Sequence, residues 1–201
     1  MSIGELAMLV NDNFDKPLNQ QIREMQYIGS YVFTSSTTFT PDKSGYYKVI
    51  VVGAGGAHDY TGSSGSAYYY ASGGAGGVAI KNMHLLSTQE YTIDIERDNS
   101  TFNGNLVATA GGDGKAFSTS SATGGAGGTA SGGDFNYDGL WGTVSVNNPP
   151  RGGSVGVFIP GLMLPYLTET GLGILGYGIG GTSGAAAGGA AIIIIPLELE
   201  E

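Results

Sequence analysis

The spacing of hydrophobic positions along the chain changes near residue 30. In residues 1–29 apolar side chains recur every three or four positions, which is the spacing of an amphipathic helix. Beyond Gly29 they alternate with polar side chains, as in YTIDI over residues 91–95, which is the two-residue period of a half-buried strand. The change predicts an N-terminal helical segment over residues 1–29 and a glycine-rich β domain over residues 30–201.

Two short helices are predicted within the N-terminal segment. Ser2 and Glu5 form a capping box before the first helix, and Asp15 caps the second, which ends at Gly29. Helices of this length are not stable alone in water. Their apolar faces must therefore dock on the body of this chain, on copies of it, or on a larger assembly. The predicted docking residues are Ile3, Leu6 and Val10 on the first helix and Leu18, Ile22 and Met25 on the second.

Strand patterns run through the rest of the chain. The sequences YVFTSSTTFT and YYKVIVVG flank a turn at PDKSG, and VAIKNMHL and EYTIDIER follow them. NLVATA, TVSV and SVGVFI predict shorter strands. The closing run AAIIIIPLELEE is rich in β-branched residues without alternation, which indicates a strand that is buried on both faces. We therefore expect an all-β body, built as a β-sandwich or a jelly-roll-like fold.

Glycine-rich tracts separate these strands. The chain has 37 glycines among 201 residues, against a usual share of about 7 per cent. GGAGGVA at residues 73–79 and GGAGGTA at residues 124–130 are nearly identical, and GAAAGGAA begins at Gly184. Every third residue of such a repeat has a side chain, which matches the three-residue turn of a polyproline-II helix. We expect packed glycine helices that hydrogen-bond through bare backbone, rather than flexible linkers.

Residues 46–60, YYKVIVVGAGGAHDY, raise the alternative of a nucleotide-binding turn. Gly53 and Gly55 fit the first two glycines of the dinucleotide motif. The third position is His58, and no helical stripe follows to supply the amides that would face a pyrophosphate. We therefore expect a tight turn or a packing surface here, and no cofactor.

Charge and composition argue against several other classes. The net charge is −9 and no basic run is present, which disfavours nucleic acid as a partner. Without cysteine there are no disulfides or thiolate metal sites, and His58 and His84 stand in unrelated contexts, so no metal site is predicted. Residues 171–195 carry no charge, but small residues dominate their middle and no Lys or Arg flanks them, so membrane insertion is not expected.

An enzyme is not expected either. Asp94, Glu96 and Asp98 share one side of a predicted strand, with Ile93 and Ile95 on the other, so the carboxylates indicate a solvent-facing side. No serine or cysteine nucleophile motif with a supporting histidine is present.

The order of strands and glycine tracts resembles the glycine-rich domain of bacteriophage and prophage tail-fibre proteins. The resemblance lies in SGYYKVIVVGAGG, SGGAGGVAI, EYTIDI, TAGGDGKAF, TGGAGGTASGG and GGAAIIIIP, and it covers residues 31–196. It implies a β-structured domain at the tip or shaft of a virion fibre, assembled from several copies, most often three. Some related adhesins stack polyglycine helices and carry receptor-binding loops between them. The tracts of this chain are shorter than those of the adhesins and contain alanine. The adhesins need not share the predicted N-terminal helices.

The resemblance implies a protein of the virion, assembled in the host cytoplasm, that attaches to a saccharide or protein on the host surface. Aromatic side chains in the loops between glycine tracts are the candidate contacts, with acidic and amide groups as hydrogen-bonding partners. The alternatives are that these rings cover the core or face a neighbouring subunit, and that the protein is a purely structural fibre shaft, adaptor or head decoration. The candidate receptor-binding residues are Tyr60, Tyr68, Tyr69, Tyr70, Asp134, Phe135, Asn136, Tyr137, Asp138 and Trp141.

Overall fold

The structure is a computed structural model, and it describes residues 30–62, 68–118, 121–146, 153, 178, 180–181 and 189–199. Within these residues the protein is all-β, with antiparallel strands and no helix, which confirms the predicted class. The strands are β1 (Tyr31–Phe33), β2 (Thr37–Phe39), β3 (Gly45–Val52), β4 (Asp59–Thr61), β5 (Tyr69–Ala71), β6 (Val78–Leu85), β7 (Tyr91–Ile95), β8 (Asn99–Phe102), β9 (Leu106–Thr109), β10 (Lys115–Ser118), β11 (Ser121–Thr123), β12 (Ala130–Ser131), β13 (Phe135–Tyr137), β14 (Val144–Val146) and β15 (Ala191–Leu199).

Two five-stranded sheets share the main hydrophobic core. Their strand orders are β1-β15-β3-β6-β13 and β12-β9-β8-β7-β2. Alternation along β3 sends Tyr47, Val49 and Val51 into the space between the sheets, where they meet Phe102 and Leu106 from the second sheet. We call these two sheets and the side chains between them the two-sheet core.

The other face of β3 is also buried. Ile50 and Val52 form a second cluster there with Ile193 of β15, and Ala75 from a glycine tract belongs to it. Burial of Ile192, Ile193 and Ile194 at 0 per cent exposure confirms that the closing isoleucine run is a strand buried on both faces.

Two small sheets form a separate region, which we call the tip. One has the order β14-β5-β4 and the other is the hairpin β10-β11, and strands of the two sheets contact each other. Each of five glycine-rich tracts joins a strand of the two-sheet core to a strand of the tip. These tracts are residues 53–58, 72–77, 110–114, 124–129 and 138–143.

The tracts lie side by side and hydrogen-bond through their backbones, and we call them together the glycine bundle. Gly53 and Gly56 donate to Gly77 and Gly74, so tract 53–58 runs antiparallel to tract 72–77. Tract 124–129 runs parallel to tract 72–77, because Gly125 and Gly128 donate to the carbonyls of Ser72 and Ala75. The bonds repeat every three residues, which is the period of a polyproline-II helix.

Tract 72–77 is the centre of the bundle, and all six of its residues are buried. Its amides point in three directions in turn. Ser72 and Ala75 donate to Thr143 and Leu140 of tract 138–143. The other four amides follow the same three-residue repeat. Gly73 donates to Gly181 and Gly76 donates to Gly178. Gly74 donates to Gly112 and Gly77 donates to Thr109.

The tracts around this centre form a closed ring. Gly111 donates to Ala54, Gly112 to Ala126, and Gly139 to Gly128, which links four outer tracts in series. Gly153 lies against the carbonyl of Leu140, and its own carbonyl accepts a hydrogen bond from the amide of Gly180. The amide of Gly181 donates to the carbonyl of Gly56. These three glycines therefore close the ring between tract 138–143 and tract 53–58. The central tract therefore has neighbours on every side, and all six of its amides donate to backbone carbonyls.

Glycine is required at the inward positions because of space. A Cβ atom on Gly76 or Gly111 would overlap a backbone carbonyl oxygen of a neighbouring tract, and one on Gly53 would overlap that of Thr109 at the end of β9. None of these three has a positive φ, so their need for glycine is not conformational. The hydrogen of each glycine that takes the place of Cβ points at that oxygen, in the manner of a weak Cα–H···O bond.

The structure confirms that the tracts around 73–77 and 124–128 pack tightly, as the repeat predicts, and that VVGAGG leads a core strand into a packing surface. It corrects one other expectation and adds a feature of the topology. Strands β2 and β3, on either side of PDKSG, belong to different sheets. The aromatic segments predicted as loops contain strands β4, β5 and β13, because extended neighbours offer ladder partners to these β-prone residues. The predicted helices of residues 1–29, the predicted strand SVGVFI and most of GAAAGGAA lie outside the described residues.

Candidate functional site

The tip sheet places four of the candidate tyrosines. Tyr60 of β4 pairs with Tyr70 of β5, and Thr61 pairs with Tyr69. Side chains of one strand alternate between the two faces of a sheet. Tyr60 and Tyr70 therefore share one face, and Tyr69 lies on the opposite face, as the alternation argument requires for consecutive tyrosines.

Three rings make a continuous row on the first face, which we call the tyrosine row. The rings of Tyr60 and Tyr70 stack with centroids 6.0 Å apart, and those of Tyr70 and Tyr68 stack at 6.3 Å. Tyr60 is 58 per cent exposed and the other two are half-buried. Tyr68 lies against Gly62, where a Cβ would overlap its ring. The tyrosine row thus packs against Gly62 at the ring of Tyr68 and is open to solvent at Tyr60.

A groove lies on the second face of the tip sheet. It has a volume of about 310 Å³. Tyr69 forms an aromatic wall, and Val144 and Val146 supply apolar surface; Ser121, Ala122 and Ser145 also border the groove. The sequence pattern TVSV predicts the strand β14, but its place beside Tyr69 depends on the pairing of Val146 with Tyr69 across the sheet. Sequence reasoning therefore did not include these residues in the site.

Asp59 joins the two small sheets of the tip. Its carboxylate accepts hydrogen bonds from the backbone amide of Tyr60 at 2.8 Å and from that of Ala116 in β10 at 2.9 Å. Since one carboxylate serves both β4 and β10, it restrains the tip sheet against the β10-β11 hairpin. Phe117 of the same hairpin is 65 per cent exposed and was not among the predicted site residues.

The second predicted group lies at the opposite end of the bundle. Phe135, Asn136 and Tyr137 form β13, which pairs with β6 at the edge of the two-sheet core. Phe135 is 58 per cent exposed, whereas Tyr137 packs against the second core cluster. Because tract 72–77 separates β5 from β6, the structure does not bring this group together with the tyrosine row.

The polar members of this second group are engaged within the fold. Asp134 accepts from the backbone amide of Asn82 at 3.0 Å, and Asp138 accepts from that of Ala130 at 3.3 Å. Asn136 exchanges two hydrogen bonds with the backbone of Gly133, each 3.0 Å long. These side chains hold β13 and its turn in place.

Trp141 belongs to neither group. It lies in tract 138–143 on the side of the bundle and is 67 per cent exposed. Its neighbours Leu140 and Gly142 are held by the backbone bonds from Ala75 to Leu140 and from Gly142 to Gly125. The indole is therefore displayed from a rigid backbone.

Charged side chains gather on another side of the bundle. Arg97 and Asp98 border a cavity of about 230 Å³ beside tracts 53–58 and 110–114. The guanidinium of Arg97 lies 3.6 Å from the carboxylate of Asp113, which also accepts from the amide of Ala57 at 2.8 Å. Asp94, Glu96 and Asp98 do not gather into a site: Asp94 bonds with Thr101 at 3.4 Å, and the other two are exposed.

Among the residues that the structure describes, no group of histidine and carboxylate side chains could hold a metal ion. Over the same ranges, no helix has the length and apolar character needed to cross a membrane. No protein-family model matches the chain. No curated protein sequence matches it either.

Proposed function

We propose that this chain is a bacteriophage tail-fibre or tail-tip protein that attaches the virion to a receptor on the host surface. The observation that carries the proposal is the tyrosine row, Tyr60, Tyr70 and Tyr68, displayed on a small sheet that the glycine bundle separates from the core. Tyrosine suits such contacts because its ring gives a large surface with few rotors and its hydroxyl adds a hydrogen bond. The ligand is a saccharide or a protein.

The glycine bundle supports the resemblance to stacked-helix adhesins. We take its tracts to be polyproline-II helices and the two-sheet core to be the predicted sandwich. A platform held by backbone bonds keeps the tip geometry fixed, which reduces the entropy lost on binding.

The first described strand, β1, belongs to the two-sheet core and lies away from the tip. Residues 1–29 precede that strand, so we assign their apolar faces to docking on other virion proteins. The assembled form in this proposal is a homotrimer within the virion, built in the host cytoplasm. In this role the protein needs no catalytic residue, no cofactor, no nucleic acid and no insertion into a membrane.

A purely structural virion component is the second candidate. The bonds that engage Asp134, Asn136 and Asp138 inside the fold favour it, since these three side chains then support β13 and are not receptor contacts. The first candidate function requires the tip to contact a receptor, and the second does not.

The deciding experiment compares two aromatic residues of equal exposure at opposite ends of the bundle. Tyr60 and Phe135 are each 58 per cent exposed. Each is changed to alanine in assembled particles, and adsorption to host cells is measured. Loss of an anchor residue costs about 2 kcal/mol, or roughly 30-fold in affinity. We expect that loss for Tyr60→Ala and none for Phe135→Ala. Normal adsorption by assembled Tyr60→Ala particles would favour the structural candidate.

A further inference from the structure

One segment exposes an unusual share of apolar surface. Eleven large hydrophobic side chains are exposed within the described residues, and four of them lie between residues 140 and 146. Trp141 is 67 per cent exposed, Leu140 55 per cent, Val144 52 per cent and Val146 48 per cent. We call these four side chains the apolar stripe. Four exposed apolar side chains within seven consecutive residues are a concentration of the kind that marks an interaction site.

The stripe is fixed by its backbone. Tract 138–143 is bonded on its inner side to the central tract and to tract 124–129, through Ala75, Gly125 and Gly128. Next along the chain, β14 pairs with β5 of the tip. The stripe thus runs from the side of the bundle up to the tip on a preorganised support, which lowers the entropy lost on association.

Charge is distributed unevenly around the bundle. Residues 116–133 and 139–150 contain no charged side chain. They include tract 124–129 and nearly all of tract 138–143, which are hydrogen-bonded neighbours. The part of the ring formed by tracts 53–58 and 110–114 has Arg97, Asp98 and Asp113 at its surface.

We propose that the apolar stripe is the surface through which copies of this chain bind one another. Each copy has a net charge of −9, so copies repel over most of their surface. The side formed by tracts 124–129 and 138–143 is where they can touch without bringing like charges together. An exposed tryptophan is a typical interface anchor. The inference deepens the proposed homo-oligomer by naming its contact, and it assigns Trp141 to a neighbouring copy.

The test changes the charge of the stripe in the full chain. Trp141→Glu places a carboxylate where two copies meet. Tyr46→Glu is the matched control, since Tyr46 is 53 per cent exposed and lies on β3 of the two-sheet core, outside the stripe and outside both uncharged segments. Mass is measured by light scattering at micromolar concentration. We expect the unchanged chain and Tyr46→Glu to be oligomers, and Trp141→Glu to be at the monomer mass of 20.5 kDa. The expected weakening of association is roughly 30-fold or more.

Two outcomes would overturn the proposal: a monomeric unchanged chain, or a Trp141→Glu variant that keeps the mass of the unchanged chain. If Trp141→Glu does not fold, as judged by circular dichroism, Val146→Lys on the same stripe takes its place with the same expectations. Tyr60→Ala separates this inference from receptor binding. It should keep the oligomer mass whatever its effect on adsorption, so a failure at the tip and a failure at the stripe give different results.

Discussion

The glycine bundle and the two-sheet core are both buried, but opposite rules govern what fits in them. In the core, side chains such as Tyr47, Phe102 and Ile193 fill the space between and behind sheets, and stability comes from apolar area removed from water. In the bundle, backbones fill the space, and Gly53, Gly76 and similar residues leave no room for even one methyl group. The core is therefore sensitive to lost atoms and the bundle to added ones.

The largest expected effect comes from one added methyl group at the centre of the bundle. Gly76→Ala would place a Cβ against the backbone oxygens of Gly53 and Ala54, which cannot move without breaking neighbouring bonds. We expect a loss of about 3 kcal/mol or more in the free energy of unfolding, at the upper end for overpacking. Urea denaturation measures it.

The matched control for that variant is Gly189→Ala, because a Cβ at Gly189 meets nothing within 4 Å. Its unfolding free energy should stay close to that of the unchanged protein. Equal stability of the two variants would contradict the account of the bundle as a space-limited region.

A glycine outside the bundle shows the cost of a substitution that is opposed by backbone conformation and not by lack of space. Gly104 lies in the turn between β8 and β9 with φ +69°, and a Cβ there meets nothing within 4 Å. Gly104→Ala should cost about 1.5 kcal/mol, because only the left-handed backbone opposes it. Urea denaturation beside Gly76→Ala tests the ranking, and a cost as large as that of Gly76→Ala would contradict it.

One methyl group removed from the core gives the complementary measurement. Ile193 is fully buried in β15, within the second cluster. Ile193→Val should cost about 1 kcal/mol, the usual value for this change. That is less than the same single methyl group costs when it is added at Gly76. If calorimetry gave Ile193→Val the larger cost, the contrast between the two regions would fail.

The smallest expected effect concerns a polar atom within the core. Ser100 of β8 is fully buried, and its hydroxyl oxygen has no hydrogen-bond partner within the described structure. Since an unsatisfied buried hydroxyl is costly, Ser100→Ala should leave the melting temperature unchanged or raise it, with a gain of up to about 1 kcal/mol. A clear fall in melting temperature would show that the hydroxyl has a stabilising partner.

The sequence predicted which residue types form the candidate site better than it predicted how those residues are arranged in space. Alternation along YYY indicates that consecutive tyrosines must divide between two faces, and Tyr69 and Tyr70 do so. No local pattern shows that Phe135 lies at the far end of the bundle from Tyr60, because their separation depends on which strands each glycine tract connects. The pairing of Val146 with Tyr69 is likewise a long-range result.

The sequence by itself determined the strands β3, β6 and β15 and the glycine repeat, since periodicity and composition are local properties of the chain. Only the tertiary structure decided that tract 72–77 is central and tract 124–129 peripheral, although the two share the repeat GGAGG. The physical reason is that a glycine backbone presents similar donors and acceptors on every side. Its place in the bundle is set by the sheets that hold its two ends, and not by side chains of its own.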